Sequence, residues 1–375
     1  MSDFTRFKPK FTAGQQRYHL SNANTIPGYV KASGQAISQS TYSNLYARVG
    51  NISDGNIFAT WTIRTSVTST AGVAAAAYLG DYFIYLANDI GTSTDAITFV
   101  NGNTNMSEYY NLTYGAGIYM VVGEGKTQVL NVLTSTNAIN WTTQTSASAT
   151  SMQSVTYGSV FAAAGWNGSL QTSTNGVTWT VRTSGTTSSI LALAYGDGIY
   201  VYGGNGGVLA TSTNAITWTA RTSGTTSAIK SLIYGNGIYV YGGNGGTLAT
   251  STNAITWTAR TSGTTSTIHT VNYFSGMNLY WYGGVNTVIA SSTDAITWTA
   301  RTTGGDKDIN GLAYGKNGAI GNYNNMIFSA GGNSQLLSAV VTTYDLTQSF
   351  IVPSTVNFTY TYLNTTPSTH IKADY

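Results

Sequence analysis

Residues 189–227, SILALAYGDGIYVYGGNGGVLATSTNAITWTARTSGTTS, are followed at once by a second copy at 228–266. The copy differs only where Ser189, Leu191, Ala192, Ala194, Asp197 and Val208 give way to Ala228, Lys230, Ser231, Ile233, Asn236 and Thr247. A chain that repeats itself this closely folds into units of one shape that bury their faces on one another. Each copy holds four short apolar or alternating runs: Ile190 to Tyr195, Ile199 to Tyr202, Val208 to Thr211 and Thr217 to Arg221. Between them lie Gly-Asp-Gly, Gly-Gly-Asn-Gly-Gly and Ser-Thr-Asn-Ala, all turn chemistry. The pattern predicts a four-stranded antiparallel meander. Such a sheet cannot bury both its faces alone, and a period of about 40 residues per four strands is that of a propeller blade.

The repeat can be counted in two ways. A Tyr recurs in the first strand of each unit at Tyr78, Tyr114, Tyr157, Tyr195, Tyr234, Tyr273 and Tyr314, while an aromatic ends the Ser-Thr-Asn/Asp turn at Phe99, Trp141, Trp179, Trp218, Trp257 and Trp298. The Tyr series has one more member than the turn series. Trp61, in NIFATWTIRTS, carries the ending of the repeat with no first three strands before it. The sequence therefore predicts an all-β chain: a seven-bladed propeller over residues 55–331, in which the strand around Trp61 pairs with strands from Ile309 to Ala330. That closure removes the open edges that invite aggregation.

Composition narrows the class of function. Only 8% of residues are charged, with 43 Gly and 42% hydrophobic residues, so solubility rests on Ser, Thr, Asn and Tyr. That neutral polar surface is more typical of extracellular adhesins and fibres than of cytoplasmic enzymes. The net charge of +3 comes from scattered Lys and Arg, with no basic stripe, so nucleic acid is not expected as a partner. Cysteine is absent, which excludes disulfides and thiolate metal sites. The first residues, MSDFTRFKPKFTAG, place charges where a signal peptide needs an apolar run, and no apolar segment approaches bilayer length, so membrane insertion is not expected.

Residues 1–25 mix Phe4, Phe7, Phe11 and Tyr18 with Lys and Arg and lack a core-building period; they read as an attachment arm. From Ile26 to Gly50 the order is Pro-Gly, a strand, a Gly turn and a Tyr/Leu helix, capped by Ser40 and facing inward with Tyr42, Leu45, Tyr46 and Val49. At the other end stand Ser349 to Pro353 (SFIVP) and Thr369 to Ala373 (THIKA). These two stretches resemble the halves of the phage tail collar domain of short tail fibres, split here by the propeller into 26–54 and 332–375. The resemblance implies that the halves pack together with Val30 near Ile371, that the chain belongs to a virion, and that it is a trimer.

The turn before each aromatic, such as Ser173 to Trp179 (STNGVTW), is similar to the Asp-box of sialidases and related propellers, one residue shorter and mostly with Asn for Asp. Its expected role is local: hydroxyl and amide groups bond the turn's own backbone while Trp61, Phe99, Trp141, Trp179, Trp218, Trp257 and Trp298 pack as repeat residues. The likeness raises glycosidase chemistry, against which the residues argue. Arg64, Arg182, Arg221, Arg260 and Arg301 all stand three residues after the repeat aromatic. Equivalent positions on successive blades do not converge on one sugar. The Glu residues, Glu108 and Glu124, lie in one blade, and His19, His269 and His370 have no metal spacing. The Gly-Gly-Asn-Gly-Gly loops precede no helix, so they are hairpin turns and not phosphate cradles. No catalytic residue, metal or cofactor is expected.

In an up-and-down blade the first and third turns share one face; the second turns and the linkers share the other. The first face is nearly uniform among copies, whereas the second diverges at Asn88 to Ile90, Asn103 to Tyr110, Gly123 to Gln128 and Gly165 to Gly168. Within it Trp166 stands outside the repeat plan, either filling space left by a smaller blade or offering a platform to a sugar ring. Its expected companions are Asn167, Tyr109, Tyr110, Glu108, Asp89 and Lys126. The leading expectation is a bacteriophage tail or head appendage that presents the propeller to a host glycan or receptor. Alternatives are a purely structural decoration and a propeller-type carbohydrate-active enzyme. An assembly-factor propeller of the kind resembling photosystem assembly proteins would normally carry a targeting or lipidation segment.

Overall fold

The computed structural model describes residues 25–26, 29–32, 56–58, 62–64, 72–96, 98–102, 106–126, 132–301, 307–316, 324–330, 336–343 and 369–372. The chain divides into two compact units, one of residues 1–59 with 341–375 and one of residues 60–340.

In the first unit, β1 (Thr25–Ile26) pairs antiparallel with β2 (Tyr29–Ala32). A further strand, β3 (Asn56–Phe58), pairs with residues 341–343. The C-terminal strand, Thr369–Lys372, joins β2 with Val30 opposite Ile371, the approach expected from the sequence. Trp61, the Ser40 to Val49 helix and the SFIVP strand lie outside the described residues.

The second unit begins with β4 (Thr62–Arg64) and continues through six regular four-stranded antiparallel blades. These are β5 (Ala75–Leu79), β6 (Tyr82–Leu86), β7 (Ile90–Ser93) and β8 (Val100–Asn101); then β9 (Met106–Gly115), β10 (Ile118–Gly125), β11 (Val132–Ser135) and β12 (Thr142–Gln144). The third blade is β13 (Met152–Tyr157), β14 (Phe161–Gly165), β15 (Leu170–Ser173) and β16 (Thr180–Val181). The two near-identical copies form β17 (Ile190–Gly196), β18 (Ile199–Gly204), β19 (Leu209–Ser212) and β20 (Thr219–Ala220), then β21 (Ile229–Gly235), β22 (Ile238–Gly243), β23 (Leu248–Ser251) and β24 (Thr258–Ala259). The sixth is β25 (Ile268–Phe274), β26 (Leu279–Gly284), β27 (Ile289–Ser292) and β28 (Thr299–Ala300).

A last sheet has a different make-up. It runs β29 (Ile309–Lys316), β30 (Asn324–Ala330) and β31 (Leu336–Thr343), and β4 joins it by pairing Arg64, Ile63 and Thr62 with Leu336, Leu337 and Ser338. The architecture is thus a β-propeller with six regular blades, not seven equal ones. The N-terminal strand also pairs beyond Gly331, where the sequence ended the propeller, and not with residues 309–330. The run Leu336 to Thr343 supplies the third strand of this sheet, yet no Ser-Thr-Asn turn follows it, so the repeat signature gave no sign of it.

Blades radiate because their first strands meet round the ring, β5 to β9 and on through β29, which in turn meets β5. The outer strands β16, β20, β24 and β28 are two-residue edges and exposed, a length that leaves little edge for another chain to extend. The second strands of the six regular blades, covered on both sides by neighbouring blades, are buried along nearly their whole length, and Phe83, Phe161, Tyr200, Tyr239 and Tyr280 at one position are fully buried. Burial of an apolar side chain on this scale stabilises by about 1.5–3 kcal/mol. The phenols among them also stitch neighbouring blades, with Tyr280 Oη donating to Gly235 O at 2.6 Å, Tyr200 Oη to Val160 O at 2.9 Å, and Tyr239 Oη to Gly196 O.

A Tyr-Gly pair closes the first strands of the second to fifth blades and of the last sheet, and it accounts for the Tyr series there. A Cβ added to Gly196 would meet Tyr234 Cγ of the next blade at 2.1 Å, and the same clasp joins Gly115 to Tyr157, Gly158 to Tyr195 and Gly235 to Tyr273. It also joins the last sheet to the first blade, where Gly315 would meet Tyr78 Cδ2 at 2.1 Å.

Candidate functional site

Two loop systems were open to function, and the uniform one proves self-contained. In each Ser-Thr-Asn turn the side chains fold back on their own backbone: Ser212 Oγ donates to Asn214 Oδ1 at 3.1 Å, and the amides of Ile216 and Thr217 both donate to Asn214 Oδ1 at 2.9 Å. The following residue takes a left-handed conformation, φ 59 at Ala215, and the indole N–H of Trp218 donates to its carbonyl at 3.2 Å. Trp218 then packs in a tilted arrangement on Tyr202 of its own blade, ring centroids 4.9 Å apart, as Trp257 does on Tyr241 and Trp298 on Tyr282. Trp141 and Trp179 are buried, and Phe99 packs at 5.1 Å on Tyr85. The polar and aromatic groups of these turns are spent on structure. The Arg side chains described are held likewise within their own sheets, with the Nε of Arg182, Arg221 and Arg260 donating to Thr172, Thr211 and Thr250 and that of Arg301 donating to Ser291. No two of these Arg side chains share a target, as the spacing required.

On the opposite face the second hairpin turn is a short 3-10 turn, Asn205–Gly207, Asn244–Gly246, Val285–Thr287 and, in the third blade, Trp166–Gly168. Its third residue is pinned: a Cβ on Gly168 would lie 1.9 Å from Thr186 O, and Ser184 Oγ of the following linker donates to Gly168 O at 2.7 Å. Its first residue is pinned too, since Trp166 N donates to Ser151 O at 3.2 Å just as Asn205 N does to Ser189 O at 2.9 Å. Trp166 therefore occupies the place of a surface Asn on a rigid loop. It is 49% exposed, so it does not fill space between blades. Asn167 beside it is exposed, with φ 54.

The companions are distributed differently from the sequence reading. Tyr109 is 2% exposed and belongs to the core with Met106, Tyr119 and Trp141, so it is no ligand contact. A β-bulge is the cause: Val122 pairs with Asn111 and Gly123 with Tyr109, which leaves Tyr110 unpaired and inverts the in/out alternation there. Tyr110 is the half-buried, accessible member. Its hydroxyl donates to Glu108 Oε2 at 2.5 Å and stands 3.4 Å from Glu124 Oε2, with Glu108 and Glu124 directly opposite one another in register. Burial first, and then the two carboxylates, push the phenol well above its ordinary range, so it is kept as a hydrogen-bond donor. Lys126 is exposed at the end of the same hairpin. Asp89 is half-buried in its own blade beside Tyr85, whose phenol is likewise raised, mainly by burial. Glu108, Tyr110 and Glu124 are thus one cluster and Trp166 with Asn167 another, while Asp89 stands apart from both.

Sequence reasoning missed the bulge itself. The same register shift recurs in the first strands of the later blades, leaving Gln153, Leu191, Lys230, His269 and Asn310 unpaired at the position of Tyr110. One signal was available: Leu191 against Lys230 is among the few differences between two otherwise equal copies. Among the described residues no group of His, Asp or Glu is arranged to hold a metal, and no helix is long and apolar enough to cross a membrane.

No family model and no curated protein sequence matches the chain. Among solved structures it is similar to YCF48 bound to D1 peptide, at 12% identity over 75% of this chain and 97% of that one, with a TM-score of 0.58. YCF48 from Cyanidioschyzon merolae matches at 14% identity over 75% and 98% of the two chains, TM-score 0.55. The WD40 β-propeller domain of Doa1 matches at 10% identity over 76% and 98%, TM-score 0.59. Likeness at these identities establishes a shared β-propeller fold.

Proposed function

We propose that this chain is a non-enzymatic bacteriophage virion protein, an appendage of tail or head, whose propeller presents the Trp166 face to a glycan or receptor on the host surface. The observation that carries the reading is an indole left 49% exposed on a loop clamped at both ends, in a blade whose repeat aromatic, Trp179, is buried. An exposed Trp on a fixed backbone is a low-entropy stacking surface for a sugar ring, and Asn167 is the adjacent polar group that would orient it. The neutral surface, the Asp-box-like turns and the collar-like termini support the virion assignment, and the antiparallel pairing of Val30 with Ile371 fits one small collar-like domain built from both chain ends. In this reading residues 1–25 and the collar-like part attach to other virion proteins, the assembly is a trimer, and the sheet completed by β4 is the seventh blade of a closed ring.

Binding, not hydrolysis, is favoured by the carboxylates available. Glu108 and Glu124 converge on one phenol that stays protonated, and Arg182, Arg221, Arg260 and Arg301 are each held in their own sheets. A single shallow platform binds weakly, and several copies on one particle raise avidity by about 10²-fold or more without a new contact. Particles carrying Trp166→Ala should assemble normally, bind gold-labelled antibody to this chain, and lose adsorption to host cells. Normal adsorption by that variant would refute the recognition role, and particles that bind no such antibody would refute the virion role.

A further inference from the structure

The recurrent bulge places six different side chains at one structural position. In each first strand the residue before the bulge, Tyr109, Met152, Ile190, Ile229, Ile268 or Ile309, is buried, whereas the bulged residue is partly or fully exposed. Since first strands are the innermost of each blade, the bulged residues Tyr110, Gln153, Leu191, Lys230, His269 and Asn310 form a ring about the propeller axis, on the face that carries Trp166. Two neighbouring pairs in that ring touch. Gln153 interacts with Tyr110, and His269 Nδ1 lies 2.6 Å from Asn310 Oδ1. Because Asn310 Nδ2 donates to Val73 O at 2.9 Å, the amide orientation is fixed, so the histidine donates through Nδ1 and its Nε2 is left available.

The backbone beside the bulge is tied round the ring as well: Val155 N donates to Asn111 Oδ1, Leu193 N to Ser154 Oγ and Val271 N to Ser231 Oγ, each joining one first strand to the preceding one. A bulge with fixed neighbours re-aims one side chain per strand at low structural cost. The residues so aimed are sorted by charge. Glu108, Tyr110 and Glu124 stand on β9 and β10, while Lys230 and His269 stand on β21 and β25. From β9 to β21 the ring passes β13 and β17 one way, and β5, β29 and β25 the other, which puts the acidic and basic sectors across the axis from each other.

We infer that this axial ring of bulged residues is a binding site for a small zwitterionic ligand, whose amine is held by Glu108 and Glu124 beside the Tyr110 hydroxyl and whose carboxylate is held by Lys230, with His269 next to it in the ring. Either charge alone satisfies only one side of the ring; a molecule with both bridges them. The site does not rest on the reading of Trp166, and its test separates the two. The chain has three histidines, so full-length protein labelled with ¹³C,¹⁵N-histidine gives a spectrum in which a His269→Gln variant assigns the His269 signal. The probes are glycine, β-alanine, 4-aminobutanoate and 6-aminohexanoate, with acetate and methylammonium as singly charged controls.

At least one amino acid of the series should shift the His269 signal saturably, and with an affinity at least tenfold above that of either control. Lys230→Leu, which installs the residue of the preceding and near-identical blade, should weaken that binding at least tenfold with the fold intact, and Glu108→Gln should do the same. Trp166→Ala should leave it unchanged. If no member of the series gives a saturable shift, or if Lys230→Leu leaves the affinity as it was, the inference is wrong.

Discussion

The contact between the last sheet and the first blade can be tested by adding one methyl group. Gly315 closes the first strand of the composite sheet, and a Cβ there would lie 2.1 Å from Cδ2 and 2.2 Å from Cγ of Tyr78 in the first blade. Those atoms are near the root of the tyrosine side chain, so the ring cannot swing aside; the two sheets must separate or the tyrosine must leave its rotamer. Overpacking of this kind costs about 1–3 kcal/mol. For a unit of this size each kcal/mol lowers the melting temperature by about 2 °C, so Gly315→Ala should melt about 2–6 °C below the parent. Gly196→Ala, facing Tyr234 Cγ at 2.1 Å between two regular blades, is the internal standard and should cost the same. Calorimetry on both variants, and on Gly315→Ala combined with Tyr78→Ala, completes a double-mutant cycle. A coupling of about 1 kcal/mol or more is expected, because once the ring is gone the added methyl has room. A silent Gly315→Ala beside a damaging Gly196→Ala would show that the last sheet does not pack on the first blade as internal blades pack on each other, and the closed ring would be refuted.

Other outcomes follow from local geometry. Ala215 is buried at φ 59 where the third blade has Gly176 at φ 74, so in Ala215→Gly the relief of left-handed strain is offset by the lost buried methyl and the freer unfolded chain, and denaturant titrations should show a change of less than about 1 kcal/mol. The phenols of Tyr202 and Tyr241, donating to Ser184 O and Ser223 O at 2.8 and 2.7 Å, are pushed up to about 12 by burial. The unfolded chain loses these protons near pH 10 and the folded one only near 12, so their contribution is complete below about pH 10 and lost as pH rises through 12. Replacing both by Phe should flatten the alkaline limb of a melting profile. In the sixth blade Asp294 stands where its neighbours have Asn, and the amides of Thr297 and Ile296 hold its carboxyl below the usual range. Its stabilisation is present above the ordinary carboxylate pKa and fades as pH falls through the depressed value, so the protection of those two amides, taken relative to their intrinsic exchange rate at each pH, should fall in acid. Asp294→Asn should abolish that dependence.

Much of this protein is written in local pattern. The four runs of each copy and the turns between them specify the meander because strand alternation, left-handed Gly or Ala positions and Asn-capped turns act within a few residues. The repeat aromatics could be recognised as structural for the same reason: an indole whose N–H bonds a carbonyl three residues back is part of its own turn. The exposure of Trp166 could have been read by aligning it with Asn205 and Asn244, polar residues at the same place. The strand that receives β4 could not, because Leu336 to Thr343 earns its place only by filling the gap between β30 and β4. Nor could the exchange of Tyr109 for Tyr110. Strand periodicity assumes an unbroken ladder, and one extra residue inverts it; whether a bulge is admitted depends on how the innermost strands of neighbouring blades crowd and bond around a common axis. That crowding turned Leu191, Lys230, His269 and Asn310 from scattered differences into one ring, and it exists only once the blades have assembled.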